Sequence, residues 1–347
     1  QGNAVCDDCN ICDGGNLDLD DCGVCFGGNL DLDCNGICFG NAILDECGIC
    51  NGDNTTCSGC TDINAENYDD QAVFYDGNCL YNDQIFKVPA EYLNIQNAIF
   101  YASNGDTVLV SEGIYNENID FLGKSILVKS LYEEIGLISD YVISGVDSVS
   151  TITISNQNGF TGLYGFTITN GYGKGVSFED FVSLAANPED LDSLLYNVIS
   201  GGGISIIESN PHIKDVYITN NSSRNVGAGI AMVNSDAIIE SAIISDNIIY
   251  DGDALGGGGI AINGGNPSLD NVEIINNYVG GNMYYLNGGG GILCGFSLDE
   301  NQLSLDIKNS KIYNNTANIG AGIGALSGNI NIFKSVISSN IGDYGSA

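Results

Sequence analysis

The sequence has no tryptophan, one histidine (His212), one arginine (Arg224), 4 prolines and 2 methionines. Lysine and arginine together number 9 against 44 aspartates and glutamates, a net charge of −35. Such a field repels nucleic acid and anionic lipid and draws in divalent cations, so nucleic-acid partners are not expected. His212 lies in SNPHIKD and reads as a solvent-facing turn residue, so no histidine-based metal centre or triad is expected. No apolar run approaches the roughly 20 residues of a membrane helix, and direct membrane insertion is not expected. The chain starts at Gln1 without a basic and apolar leader, which reads as a mature chain or a fragment.

Cysteine is distributed unevenly. Twelve of the 13 lie between Cys6 and Cys79, in a stretch too short and too polar to bury a core. From Cys6 to Cys60 they recur about every 13 residues: Cys9 and Cys12, Cys22 and Cys25, Cys34 and Cys38, Cys47 and Cys50, with Cys57 closing the series. Cys6, Cys60 and Cys79 complete the disulfide candidates, and an even number in this setting reads as extracellular or cell-surface. Repeated CxxC also suits zinc thiolates, and disulfide spacing with no metal is a third reading.

Between the cysteine pairs run acidic loops. GGNLDLDD and GGNLDLD put Asn16, Asp18 and Asp20, then Asn29, Asp31 and Asp33, at alternate positions, with Asp45 and Asp53 in the later units. Oxygen ligands two residues apart in a glycine-started loop suit calcium, although the distal glutamate of an EF-hand is missing. Calcium is therefore the expected cofactor, and no organic cofactor is expected. Each bridge would add about 2–4 kcal/mol by restricting the unfolded chain.

Residues 1–58 read as the repeat arm, 59–82 as a small disulfide module and 83–347 as a solenoid. GCTD, NYDD and DGNCLY between Gly59 and Tyr81, beside DECGICNGDN from Asp45, resemble modules of large secreted proteins of marine bacteria. That resemblance implies exported, cell-anchored, calcium-bound spacers, with Cys60 and Cys79 closing one loop.

Past Asp83 short β-branched runs alternate with glycine and asparagine. Leu93, Ile95, Ala98, Ile99 and Ala102 in Tyr92–Ser103 fall near one helical face and predict a capping helix. GDTVLVSEGIYNENIDFLGKSILVKS, Gly105 to Ser130, resembles the opening coil of pectinesterase-like β-helix proteins, which implies a helix over a first rung.

Downstream, GGGI or GAGI ends at Ile204, Ile230, Ile260, Ile292 and Ile323, at spacings of 26, 30, 32 and 31 residues. One turn of a parallel β-helix carries about three short strands in that length, so the fold class is all-β, a right-handed parallel β-helix behind a capping helix and a disulfide-rich arm. Asn221, Asn247, Asn277, Asn315 and Asn340 recur in phase and predict a stacked amide ladder, while the glycine runs predict tight corners at positive φ. Residues about 172–200 interrupt the period and read as an insertion carrying a helix start at Asn187–Leu195.

The chemistry of pectinolytic relatives is not found: basic residues are scattered, and neither a paired-Asp constellation with Gly-His-Gly nor a pectinesterase acidic pair with its arginine is evident. No enzymatic activity is expected. Cys294 reads as a buried free thiol, and Asn54, Asn220, Asn221 and Asn314 begin N-x-S/T sequons. The expected function is an extracellular structural protein, a segment of a surface fibre, filament, stalk or adhesin. Its expected partners are copies of itself head to tail, or other surface proteins. The alternative is a carbohydrate-binding or polysaccharide-active β-helix, with glycans as partners.

Overall fold

The computed structural model describes residues 6–9, 11, 16–45, 47–52, 55–61, 67–75, 84–132, 137–146, 148–157, 159–174, 200–250, 255–280, 288–295, 303–343 and 345. It divides into two compact units, Gln1–Leu80 and Tyr81–Ala347.

The second unit is a parallel β-helix. Its strands belong to sheets of nine, eight, seven and four strands, and every pairing in them is parallel. One coil shows the logic: Ile204–Ile207 lies in the seven-stranded sheet, His212–Lys214 in the nine-stranded, Tyr217–Thr219 in the eight-stranded and Ser222–Ser223 in the four-stranded. Four coils thus have a short fourth strand beyond the three expected. Tyr172–Gly173 is the first of these, paired with Ser222–Ser223, so the regular coil extends past the expected start of the insertion. Residues 175–199, with the expected helix start, lie outside the described residues.

Isoleucine fills the interior because stacked coils repeat the same inward position. Ile152, Ile204, Ile230, Ile260 and Ile292 lie in register on one face, and Ile168, Ile218, Ile244, Ile274 and Ile312 on another, all fully or almost fully buried. β-Branched side chains suit this pleated, enclosed surface. Cys294 continues the column of Ile154, Ile206, Met232 and Ile262, and burial pushes its thiol up to about 12, which keeps it protonated and inert.

Corners are made by single residues in the left-handed region. Asn170, Asn220, Asp246, Asn276, Asn314 and Ser339 have φ of 54–59° and precede the fourth face, and Asp215, Ser241, Asn271, Asn309 and Lys334 turn the chain between the nine- and eight-stranded sheets at φ 50–55°. Asparagine and aspartate tolerate this conformation because their short polar side chains bond locally. The glycine runs follow a different rule from the one expected. Positive φ falls on the glycine three residues before Ile230, Ile260, Ile292 and Ile323, that is Gly227, Gly257, Gly289 and Gly320, at 53–75°, and on Gly256 at 134°, and not on the glycines that follow. Gly229, Gly259 and Gly291 are required instead by close approach, since a Cβ on each would come within 2.4–2.6 Å of a carbonyl oxygen on the next coil.

A helix, α1 (Ile95–Tyr101), covers the first rung with Ile95, Ala98 and Ile99 buried. Leu93, expected on that face, precedes the N-cap Asn94 and is 82% exposed. Both helix ends are held from the opening coil. Glu117 accepts from the Ile95 and Gln96 amides at 3.0 and 2.9 Å, and Lys124 Nζ donates to the Ile99, Phe100 and Ala102 carbonyls at 2.8 Å each. These groups satisfy the helix-end donors and acceptors that the helix itself leaves open. Lys124→Met keeps the aliphatic stem and strips all three bonds. A loss of about 2–4 kcal/mol is expected from charge-assisted bonds of this kind, read as a lowered urea midpoint and faster amide exchange in α1.

Candidate functional site

The outward face of the nine-stranded sheet gathers side chains from four coils. Tyr164 is in register with Lys129 on one side and Lys214 on the other, and Lys214 with Glu240. In the neighbouring column His212 lies over Gly162. Gly162 leaves room beside it: a Cβ there would stand 2.6 Å from Leu127 Cδ1 and 3.3 Å from two carbons of the Tyr164 ring. The phenol thereby reaches His212 Nδ1 at 3.0 Å, and the two rings meet edge to face at 5.3 Å. His212 Nε2 lies 3.1 Å from Glu240 Oε2, and Lys214 Nζ lies 3.4 Å from the other carboxylate oxygen. Tyr132 packs over Gly165 in the same way and hydrogen-bonds Asp215.

The His212 side chain is only 25% exposed, so its reading as a solvent-facing turn residue is corrected: it opens the strand His212–Lys214. Desolvation holds the Tyr164 phenol above its ordinary value, Glu240 adds to the shift and Lys214 opposes it. The assembly was hidden in the sequence because its members lie 48 and 28 residues apart. A hydroxyl, an imidazole and a carboxylate in line can bind polyols or pass a proton, so the expectation of no enzymatic activity gains no support from this face.

In the first unit the bridges are Cys9–Cys25, Cys22–Cys38, Cys34–Cys50 and Cys47–Cys57, with Cα separations of 5.2–5.7 Å. The first cysteine of each pair joins the second cysteine of the next, and Cys47 joins Cys57, so consecutive loops overlap. Cys6 and Cys60 are also disulfide-bonded, while Cys12 and Cys79 lie outside the described residues. Oxidation removes these thiolates from any zinc site.

Each unit turns around one aspartate. Asp20 accepts from the Cys22, Val24 and Asn29 amides at 2.9, 2.8 and 3.2 Å, and Asp33 from Asn35, Ile37 and Ala42 at 3.0, 2.9 and 3.2 Å. Asp45 accepts from Ile49 at 2.7 Å. Asn16 and Asn29 accept from the Asp8 and Asp21 amides and donate back to those carboxylates. Asp18 and Asp31 take the Phe26 and Phe39 amides on their backbone carbonyls at 2.7 and 2.6 Å. Among the described residues no three acidic, histidine or cysteine side chains are grouped closely enough to hold a metal ion. Asp18, Asp20 and Asp21 do border one open recess with Asn29. Asp53 lies outside the described residues.

Backbone amides, Val24 first for Asp20 and Ile37 first for Asp33, pull both carboxyls below the ordinary 3.8. A depressed carboxyl stabilises the fold above its unfolded value and ceases to do so as pH falls through its folded value. Amide protection at Val24 and Ile37, corrected for intrinsic exchange, is therefore expected to hold at pH 6 and to fall below about pH 4, while protection in the β-helix persists.

The five asparagines Asn221, Asn247, Asn277, Asn315 and Asn340 stack through the second unit. Each Nδ2 donates to the Oδ1 of the next at 2.9–3.1 Å, and each backbone amide donates to that same oxygen at 2.9–3.1 Å. The remaining Nδ2 hydrogens go to Ile168, Ile218, Ile244, Ile274 and Ile312 carbonyls. Asn221 is 1% exposed and its amide is used in this way, which leaves no room for a glycan. Asn220 and Asn314 are exposed corner residues, and Asn54 lies outside the described residues.

No helix among the described residues is long and apolar enough to cross a membrane. No family model matches the chain, and no curated protein matches it. Among solved structures it is similar to a pectin methylesterase in complex with hexasaccharide VII, at 13% identity and TM-score 0.37, over 76% of this chain and 91% of that one. It is also similar to the pectin methylesterase from Aspergillus niger, at 11% identity and TM-score 0.40, over 76% of this chain and 86% of that one. The parallel β-helix rests on the strand pairing itself, and these likenesses assign no residue of this chain to a site.

Proposed function

We propose that the chain is an extracellular structural protein, a segment of a surface fibre, filament, stalk or adhesin that associates with further copies of itself or with other surface proteins. The observation that carries this reading is continuity: the amide ladder runs without a gap through five coils, and the arm's bridges overlap from Cys9 to Cys57. Each device fixes register within its own unit, the property a spacer needs. The disulfides fit an oxidising, extracellular setting. Electron microscopy of native material tests the reading. Regular fibres with a repeat near one molecular length support it, and dispersed particles at all concentrations overturn it.

Calcium belongs to the same proposal, as a stiffener of the acidic loops. Chelation is expected to speed proteolysis within residues 6–57 and leave the β-helix intact, and an unchanged digest removes calcium from the account.

A second reading, a carbohydrate-binding or polysaccharide-active β-helix, is favoured by the face around Tyr132, Tyr164, His212, Lys214 and Glu240. Aromatic rings beside paired hydrogen-bonding groups suit sugar rings and their hydroxyls. Glycan-array binding that is lost in Tyr164→Ala supports it, and an array without signal removes it.

A further inference from the structure

We propose that Glu240, His212 and Tyr164 form a proton relay that makes the Tyr164 phenol a nucleophile toward carboxylic esters. The inference deepens the carbohydrate-directed reading of this face, with acyl groups on a polyol as the chemical class of substrate.

The geometry has the parts a nucleophile, base and orienting group require. His212 Nε2–H donates to Glu240 at 3.1 Å, which leaves the Nδ1 lone pair to accept the Tyr164 hydroxyl at 3.0 Å. Glu240 is positioned in turn by Lys214 at 3.4 Å. The groups facing His212 are Tyr164 from the preceding coil, Glu240 from the next and Lys214 on its own strand, while its column neighbours Gly162 and Ile238 carry no charge. A partly buried phenol held above its ordinary value is neutral near pH 7 and needs a base to react, and His212 is the base in contact with it.

The step balances within these residues. The Tyr164 oxygen bonds to the acyl carbon as its proton passes to His212 Nδ1. The carbonyl oxygen becomes an alkoxide on a face where Lys129 and Lys214 bracket Tyr164 in register. Collapse breaks the bond to the leaving alcohol, which takes the proton from Nδ1. Water then enters by the same route: its oxygen bonds to the acyl carbon as its proton passes to His212 Nδ1, the acyl–Tyr164 bond breaks to release the acid, and the phenolate takes the proton back from Nδ1.

The test uses the intact protein and phenylmethanesulfonyl fluoride, whose tetrahedral sulfur stands for the acyl centre: an O–S bond forms, S–F breaks and His212 takes the proton. Peptide mapping compares Tyr164 with Tyr250 and Tyr172, 71% and 37% exposed, within one sample, so the comparison does not depend on any variant folding. Labelling of Tyr164 at least about tenfold faster is expected, equivalent to about 1.4 kcal/mol in the barrier. His212→Gln is expected to bring it to the level of the other two tyrosines, and Glu240→Gln to slow it, with Glu240→Asp restoring part. Equal labelling of the three tyrosines in the native protein overturns the relay. Glycan binding by Tyr164→Phe, which keeps the ring, is scored separately, so the carbohydrate reading and the relay can fail independently.

Discussion

Asn277→Ala is expected to cost the β-helix about 3–5 kcal/mol, because four buried hydrogen bonds disappear at once and their partners stay buried. Asn277 Oδ1 accepts from the Asn247 backbone and side-chain nitrogens at 3.1 and 3.0 Å, and its Nδ2 donates to the Ile244 carbonyl and to Asn315 Oδ1 at 2.9 Å each. The residue is 1% exposed, so water cannot replace these partners. Urea denaturation with amide exchange measures the loss and locates it in the flanking coils. Asn340→Ala is the comparison. Asn340 accepts two bonds from Asn315 and donates one to Ile312, and it is 8% exposed. A clearly smaller loss is expected there, and equal losses would show that the ladder's interior holds nothing extra.

Gly259→Ala is expected to be as damaging for the opposite reason, too much volume instead of too few bonds. The new Cβ would stand 2.6 Å from the Gly291 carbonyl oxygen, 2.8 Å from Ile274 Cγ2 and 3.1 Å from Asn277 Nδ2. Two of these belong to backbone or to a packed β-branched side chain, so neither can swing away. Overpacking of this kind costs about 1–3 kcal/mol, and displacement of Asn277 adds part of the ladder's loss. Gly258→Ala is the comparison: its Cβ would also stand 2.6 Å from a carbonyl oxygen, that of Gly290, but meets no ladder asparagine, and Ala228 fills the same place one coil earlier, so a smaller loss is expected. Thermal melting of the two variants side by side decides it, and a reversed order would refute the close-approach account of these glycines.

The repeat made the coils legible: isoleucine at the same phase, a glycine run ahead of it and an asparagine behind could be read without coordinates. The double asparagines carried more than the phase revealed. In Asn220–Asn221 and Asn314–Asn315 the first residue turns the corner at positive φ and the second points inward, so these sequons arise from turn chemistry followed by ladder chemistry. The early coils lack the GGGI signal, which left Tyr164 without a phase and the face around His212 invisible. The bridging order was equally out of reach, since equal cysteine spacing permits many pairings and only the fold selects the one that skips a neighbour.

The overlapping bridges also determine how the arm answers a pull. A force entering at Cys9 crosses to Cys25, runs back three residues to Cys22, crosses to Cys38, runs back four to Cys34, crosses to Cys50 and runs back three to Cys47 before reaching Cys57. The peptide between those points, about 170 Å if drawn straight, is bypassed, and the covalent path in tension includes only about 35 Å of it. Such an arm stores almost no hidden length. It transmits a tug at once where a reducible or unbridged tether would first pay out slack.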